Sequence, residues 1–233
     1  MFPALDELHL LDLAVDGKER FMRLLTDNSV YPVTKLEVRN AQAVMYLVPE
    51  KVFRRVNVLH ADMKLLLLVK TLFFTPLYDV LEELTLTSSG RYHVEALAKM
   101  DGHFVSSCLR LKALHILDSR TGRQTDYSPA IIFRGFKALL DVSPKTLSHV
   151  SVGFLLFRWD KRQMDQLKSM EWKKVQELVL GRFPMLAKLS VVGVPDALTP
   201  ATAGLLIAPI PAAWKPVVRS RLGADFLDKV VFE

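Results

Sequence analysis

Six histidines and one cysteine are the side chains of this sequence best suited to metal binding or nucleophilic chemistry. No two histidines are three or four residues apart, the spacing that places two imidazoles on one helix face as metal ligands. The single cysteine, Cys108, leaves no disulfide within the chain and no cysteine-pair zinc site. The sequence therefore predicts no bound metal and no cofactor.

Catalytic motifs are also missing from the sequence. It contains no glycine-rich phosphate loop, no dinucleotide fingerprint and no Gly-x-Ser-x-Gly elbow. The adjacent carboxylates Glu82 and Glu83 would point to opposite faces of a strand, so they could not act as a pair. Cys108 lacks a local motif, and we expect a buried structural thiol there. We predict no catalytic residues and a protein that is not an enzyme.

The elements that would position these side chains come from a recurring six-residue phrase with apolar residues at its first, fourth and sixth positions. Its seven copies start 28, 20, 28, 30, 36 and 39 residues apart. They are LDELHL (5–10), VTKLEV (33–38), FRRVNV (53–58), LEELTL (81–86), LKALHI (111–116), LSHVSV (147–152) and LAKLSV (186–191). Such a recurrence is typical of leucine-rich repeats, in which each unit contributes one short strand and one return segment.

Helix-like stretches lie between the copies, so strand and helix alternate along the chain. We predict an α/β fold: a leucine-rich-repeat-like, right-handed solenoid with a curved parallel sheet on one side and helices on the other. An eighth match, VQELVL at 175–180, starts only 11 residues before the last copy. Because its apolar residues also recur at helical spacing, we predict a helix there.

No linker divides the sequence, so residues 1–233 are predicted to form a single leucine-rich-repeat-like domain. Residues 207–216 form an irregular, proline-rich segment. Residues 217–233 are predicted to form a helix–strand cap, since an uncovered terminal repeat would leave apolar surface in water.

The polar positions of the phrase predict a binding surface. A fifth-position side chain points away from its apolar neighbours, towards the concave side of the predicted sheet. We expect this face to be open to solvent and to bind a protein partner, although it could equally be an ordinary solvated face. Its expected members are Glu7, His9, Lys35, Glu37, Arg39, Arg55, Asn57, Glu83, Thr85, His115, Ser151, Lys188 and Ser190.

Charge and hydropathy restrict the partners and the compartment. The chain has a formal net charge of +6, but its basic residues are interspersed with acidic ones and form no run of five or six. This pattern does not favour nucleic-acid binding. No apolar run approaches the roughly 20 residues needed to span a bilayer, and the first residues lack the basic region of a secretory signal. We predict an intracellular protein, cytoplasmic or nuclear or both, without membrane contact.

Several units resemble the leucine-rich-repeat-like region of fungal F-box-like proteins. These units are FPALDELHLLDL, VLEELTLTSS, CLRLKALHILDS and FPMLAKLSVVGV. The closing part is particularly similar: a helix opening at Trp172, a turn formed by Arg182, Phe183 and Pro184, the strand LAKLSV and the tail RSRLGADFLDKVVFE. The resemblance covers most of the chain.

In that family an N-terminal F-box docks a Skp-type adaptor of a cullin–RING ubiquitin ligase, and the repeats hold the substrate. The resemblance thus implies a non-enzymatic, substrate-recognising repeat region. The first strand phrase here begins at Leu5, so we expect no F-box before it, and adaptor binding only if an F-box is supplied elsewhere. The alternative is a small α/β enzyme with a doubly wound sheet and its ligand at the carboxyl ends of the strands.

Overall fold

The computed structural model describes residues 7–11, 33–39, 54–62, 75–88, 103–118, 129–156, 161–195 and 209–233. These ranges contain eight strands and six helices. The strands are β1 (Glu7–Leu11), β2 (Lys35–Arg39), β3 (Val58–Asp62), β4 (Glu83–Ser88), β5 (Ala113–Asp118), β6 (His149–Leu155), β7 (Lys188–Val194) and β8 (Val230–Phe232). The helices are α1 (His103–Ser107), α2 (Pro129–Val142), α3 (Lys161–Ser169), α4 (Trp172–Arg182), α5 (Trp214–Arg219) and α6 (Ala224–Leu227).

All eight strands belong to one parallel sheet, and their order in the sheet is their order in the chain. The predictions of an α/β fold and of a parallel sheet are confirmed. A doubly wound sheet requires a point at which the strand order reverses. The eight described strands have no such reversal, so the sheet expected for the alternative is not the one formed.

One backbone contact repeats at the entries of β3 to β7. The carbonyl oxygen of the residue just before a strand accepts hydrogen bonds from two successive N–H groups of the next unit. Thus Glu82 O accepts from Lys112 N at 2.7 Å and Ala113 N at 3.0 Å, and Lys112 O accepts from Ser148 N at 2.8 Å and His149 N at 3.0 Å. The carbonyls of Thr34, Asn57 and Ser148 do the same. This contact sets each of these five strands in the same register on the one before it.

The register aligns the apolar positions of the phrase in continuous rows on one face of the sheet, which we call the core face. Fourth positions pair with fourth positions, as in Leu84 with Leu114, and sixth positions pair with sixth positions, as in Leu86 with Ile116. These four side chains are fully buried. All described helices contribute buried residues to the same apolar cluster, so they lie against the core face.

Aromatic residues anchor the longer helices to this face. Trp172, at the start of α4, is fully buried, and its indole N–H donates to the carbonyl of Leu167 at 3.2 Å. Its ring meets that of Phe133 on α2 edge-on, with 4.6 Å between centroids. Residues 175–180 lie within α4, which confirms the helix predicted for VQELVL.

The third copy of the phrase is displaced from its predicted place. Strand pairing aligns Leu36 with Leu59 and Val38 with Ala61, so the copy in use is VNVLHA at 56–61 rather than FRRVNV at 53–58. Both strings fit the phrase because they overlap at Val56 and Val58. The true copy makes the second and third spacings 23 and 25 residues instead of 20 and 28, which is the more regular arrangement.

An eighth copy closes the described part of the sheet. LDKVVF at 227–232 fits the phrase, and its fourth residue, Val230, pairs with Leu189 in β7. The predicted C-terminal helix–strand unit is therefore one more unit in register. Its first helix, α5, begins at Trp214, so residues 214–216 of the segment predicted to be irregular are helical. Residues 207–208 of that segment lie outside the described ranges.

We expect Leu114→Ala to lower the free energy of unfolding by about 2–5 kcal/mol, because it leaves a cavity in the central apolar row. Leu109→Ala is the matched control, since Leu109 is 64% exposed in the turn before β5, and should change stability by less than about 0.5 kcal/mol. Urea denaturation followed by circular dichroism measures both. Equal effects of the two substitutions would contradict the assignment of the core face.

Candidate functional site

The second face of the sheet, which we call the far face, points away from the helices. Because side chains alternate along a strand, the register defines three rows on it. The first row is Glu7, Lys35, Val58, Glu83, Ala113, His149 and Lys188. The second row is His9, Glu37, His60, Thr85, His115, Ser151 and Ser190. The third row is Leu11, Arg39, Asp62, Thr87, Leu117, Gly153 and Val192.

Eleven of the thirteen residues predicted for the binding surface lie on the far face. The other two, Arg55 and Asn57, are corrected by the structure: both precede β3. The displaced third copy is the cause, since it put these residues at phrase positions that Val58 and His60 occupy. His149 is a further member of the far face. It occupies the third position of the sixth copy of the phrase, and this position could have predicted its place on the face.

The second row is far less exposed than expected. Glu37, Thr85, Ser151 and Ser190 are all buried, Glu37 to 1% exposure. Adjacent strands are only about 4.8 Å apart, so side chains in one row cover the flanks of their neighbours. The first row carries the accessible chemistry: Glu7 and His149 are exposed, and Lys35, Glu83 and Lys188 are partly exposed.

The third row departs further from a polar surface. Leu117 and Val192 are buried on the far face at the carboxyl ends of their strands. Gly153 lies between them, and a Cβ added there would meet Leu117 Cδ2 at 2.5 Å and Val194 Cγ2 at 2.9 Å. Glycine is therefore required by close packing. The third row is apolar from β5 to β7, whereas on β3 and β4 it carries the buried polar residues Asp62 and Thr87.

Four polar side chains meet at the centre of these two rows. Glu83 Oε1 lies 3.7 Å from His60 Nε2 and 3.9 Å from His115 Nε2, on the strands either side of β4. His115 Nδ1 lies 2.8 Å from Ser151 Oγ on the next strand. The ladder register thus brings together residues that are up to 91 positions apart in the sequence.

Electrostatics keep this cluster anionic near neutral pH. The neighbouring His60 side chain is the main cause that holds the pKa of Glu83 below its usual value, with His115 and Lys35 adding to it. Burial is the main cause that lowers the pKa of His115 from its ordinary value, and it outweighs the opposing attraction of Glu83. A neutral imidazole and an ionised carboxylate are the favoured states of this pair.

Ser151, His115 and Glu83 follow the hydroxyl–imidazole–carboxylate order of a hydrolase triad, but their geometry does not suit acyl transfer. The carboxylate is 3.9 Å from the imidazole, beyond hydrogen-bond distance. Ser151 is only 6% exposed in the middle of β6. An oxyanion hole needs free N–H donors, whereas β5 and β6 are both interior strands of the ladder.

The ends of the first row are neutralised within the protein. Lys35 Nζ lies 3.1 Å from Glu7 Oε1, and Lys188 pairs with Glu233. At the strand entries, Lys112 Nζ lies 2.9 Å from Glu82 Oε2. Among the described residues, no lysine or arginine lies within salt-bridge distance of Glu83, whose ionic contacts are the two imidazoles.

The other chemical candidates are structural within the described residues. Cys108 is fully buried, its thiol donates to the carbonyl of Phe104 at 3.2 Å, and burial raises its pKa to about 12. No group of three potential metal ligands is found in the described ranges. None of the helices described has the length and apolar character needed to cross a membrane.

Comparison with models of protein families and with curated proteins found no match for this chain. The resemblance of its repeat units to those of F-box-like proteins therefore stays a prediction.

We expect Cys108 to resist alkylation by iodoacetamide in the folded protein, because the thiolate is the reactive species and burial suppresses it. In urea the thiol should react at the rate of a free cysteine. Mass spectrometry of the intact protein measures this directly, since the chain has a single cysteine. Rapid labelling without denaturant would contradict the structural role of Cys108.

We expect stability to fall as the pH drops below about 6.5, the value for an unperturbed histidine, because the lowered pKa of His115 means that the unfolded state binds its proton first. His115→Asn should reduce this dependence of stability on pH. The further loss of stability at still lower pH, where Glu83 becomes protonated, should remain in the variant. Urea denaturation over a pH series measures both slopes. An unchanged slope in the variant would contradict the burial of His115.

Proposed function

We propose that this chain is a non-enzymatic protein-interaction module, built as a leucine-rich-repeat-like solenoid whose far face binds a partner. The observation that carries the proposal is the sheet itself: eight parallel strands in sequential order, each set in the same register on the one before it. Repeat architectures of this kind present extended surfaces for macromolecules rather than closed pockets.

The far face supports a protein partner through its composition. Its first row combines both signs of charge with histidine and two small apolar residues, Val58 and Ala113. Mixed rows of this kind suit a protein surface, whereas a nucleic-acid track needs uncompensated cations. Here Lys35 and Lys188 are each paired with a carboxylate, which disfavours a phosphate backbone as the ligand.

The resemblance of the repeat units extends the proposal to ubiquitination. By that resemblance the chain is the substrate-recognising repeat region of an F-box-like ligase subunit, acting in the cytoplasm or the nucleus. Contact with a Skp-type adaptor would then require an F-box supplied elsewhere. The far-face rows would hold the substrate, and the helix layer would serve the fold.

Affinity purification with quantitative mass spectrometry, from cells of the source organism, tests the proposal. We expect Lys35→Ala combined with Lys188→Ala to reduce enrichment of the captured partner by at least about tenfold, because it removes both partly exposed lysines of the first row and leaves the carboxylates of Glu7 and Glu233 without these cations at the binding surface. The matched control is Lys161→Ala with Lys173→Ala, which removes the same charge from exposed positions on α3 and α4. Equal enrichment with both pairs would refute the far face as the binding surface.

A further inference from the structure

Histidines are concentrated on the far face. His60 and His115 occupy its second row, and His149 occupies its first. The register thus brings three of the six histidines of the sequence to this face. Two of them flank one carboxylate, that of Glu83, from the strands on either side. A surface of this composition changes its charge between pH 5 and 8, the range in which histidine titrates.

Glu83 is also the carboxylate of the first row without a paired cation among the described residues. Its side chain is 40% exposed, so it can be reached from solvent. Its neighbours in the row are Val58 on β3 and Ala113 on β5, and both are partly exposed. Such a site is complementary to an arginine or lysine side chain. The aliphatic part of that side chain can pack on Val58 and Ala113 while its charged end pairs with Glu83.

We propose that Glu83, framed by Val58, Ala113, His60 and His115, is the subsite on which the protein partner places an arginine or lysine side chain, and that acidification closes it. The inference rests on the proposed function of the far face. Arginine is the better fit, because its planar guanidinium pairs with both oxygens of a carboxylate.

Acid closes the subsite through the groups that face Glu83. On β3, His60 lies nearest, and its protonation places a cation 3.7 Å from Glu83 Oε1. On β5, His115 Nε2 lies 3.9 Å from the same oxygen, and burial lowers the pKa of this imidazole. Glu83 itself stays ionised at pH 5, since its pKa is held below the ordinary value of 4.5. Lys35 on β2 adds positive charge near Glu83, whereas His149 and Lys188, on β6 and β7, act on His115.

The test uses the full chain and a defined probe, Nα-acetyl-arginine amide, with Nα-acetyl-citrulline amide as its neutral analogue of equal length. Methyl signals of Val58 and Ala113 in NMR spectra report binding at the subsite. At about pH 7.5 the arginine probe should shift both signals and the citrulline probe should not. At about pH 5 the affinity for arginine should fall about tenfold, as two histidines compete for the carboxylate.

Variants make the assignment specific. Glu83→Gln should weaken arginine binding by at least about tenfold. Glu7→Gln is the matched control, because it removes a far-face carboxylate that already has a lysine partner, and it should have no effect. His60→Asn with His115→Asn should make the fall in affinity between about pH 7.5 and pH 5 smaller than in the wild type, since neither imidazole beside Glu83 is left to compete. The assignment of the subsite is wrong if Glu83→Gln binds the arginine probe as well as the wild type does. It is also wrong if Glu7→Gln loses binding while Glu83→Gln keeps it.

The outcomes separate this inference from the proposed function. If the arginine probe fails to bind while Lys35→Ala with Lys188→Ala still abolishes partner capture, the subsite is wrong and the far face remains the binding surface. If the probe binds as expected while partner capture is unaffected by that double substitution, the proposed function is wrong. Binding that does not weaken at about pH 5 overturns closure by acid.

Discussion

The double acceptance by each strand-entry carbonyl is the constraint on which the described sheet depends. Glu82 O holds two N–H groups of the next unit, and Lys112 O holds two of the unit after it. A strand that slipped by one residue would break both bonds and turn its apolar side chains to the far face. The register is therefore set twice, once by the backbone and once by burial of residues such as Leu84 and Leu114. Both determinants agree from β2 to β7, which is why one core face and one far face run along this part of the sheet.

Sequence reasoning located most of this architecture because the phrase couples two signals, apolar spacing and strand alternation. It failed where the signal was degenerate. VNVLHA and FRRVNV overlap at Val56 and Val58, and Ala61 is too small to stand out as a core residue. The strand at the end of the chain was predicted as part of a cap, but LDKVVF was not recognised as a copy of the phrase. Burial of Glu37 could not be predicted, since exposure depends on neighbours contributed by other strands. The cluster of His60, Glu83 and His115 was invisible for the same reason.

The far face differs in character across its width. From β5 to β7 its carboxyl-end row is apolar and closely packed around Gly153, while its first row holds the accessible charges. This division explains why the most perturbed ionisable groups of the sheet, Glu83 and His115, lie near the amino ends of the strands. In α/β enzymes with doubly wound sheets the ligand lies beyond the opposite, carboxyl ends. The placement of the polar cluster therefore agrees with recognition on a sheet face and not with a crevice at the carboxyl edge.

The connections between strands vary in length while the register does not. From the third unit onwards the spacing of phrase starts grows from 25 to 41 residues, and the added chain in the later units forms helices such as α3 and α4. Large aromatic side chains fill the wider core there: Phe154 meets Trp214 edge-on at 6.1 Å, and Trp172 meets Phe133. Because the described helices lie on the core face and the register of the strands is constant, the rows of the far face keep their spacing. Side chains on the first row can then be exchanged to suit a partner without disturbing the interior, which is the property that a recognition surface requires.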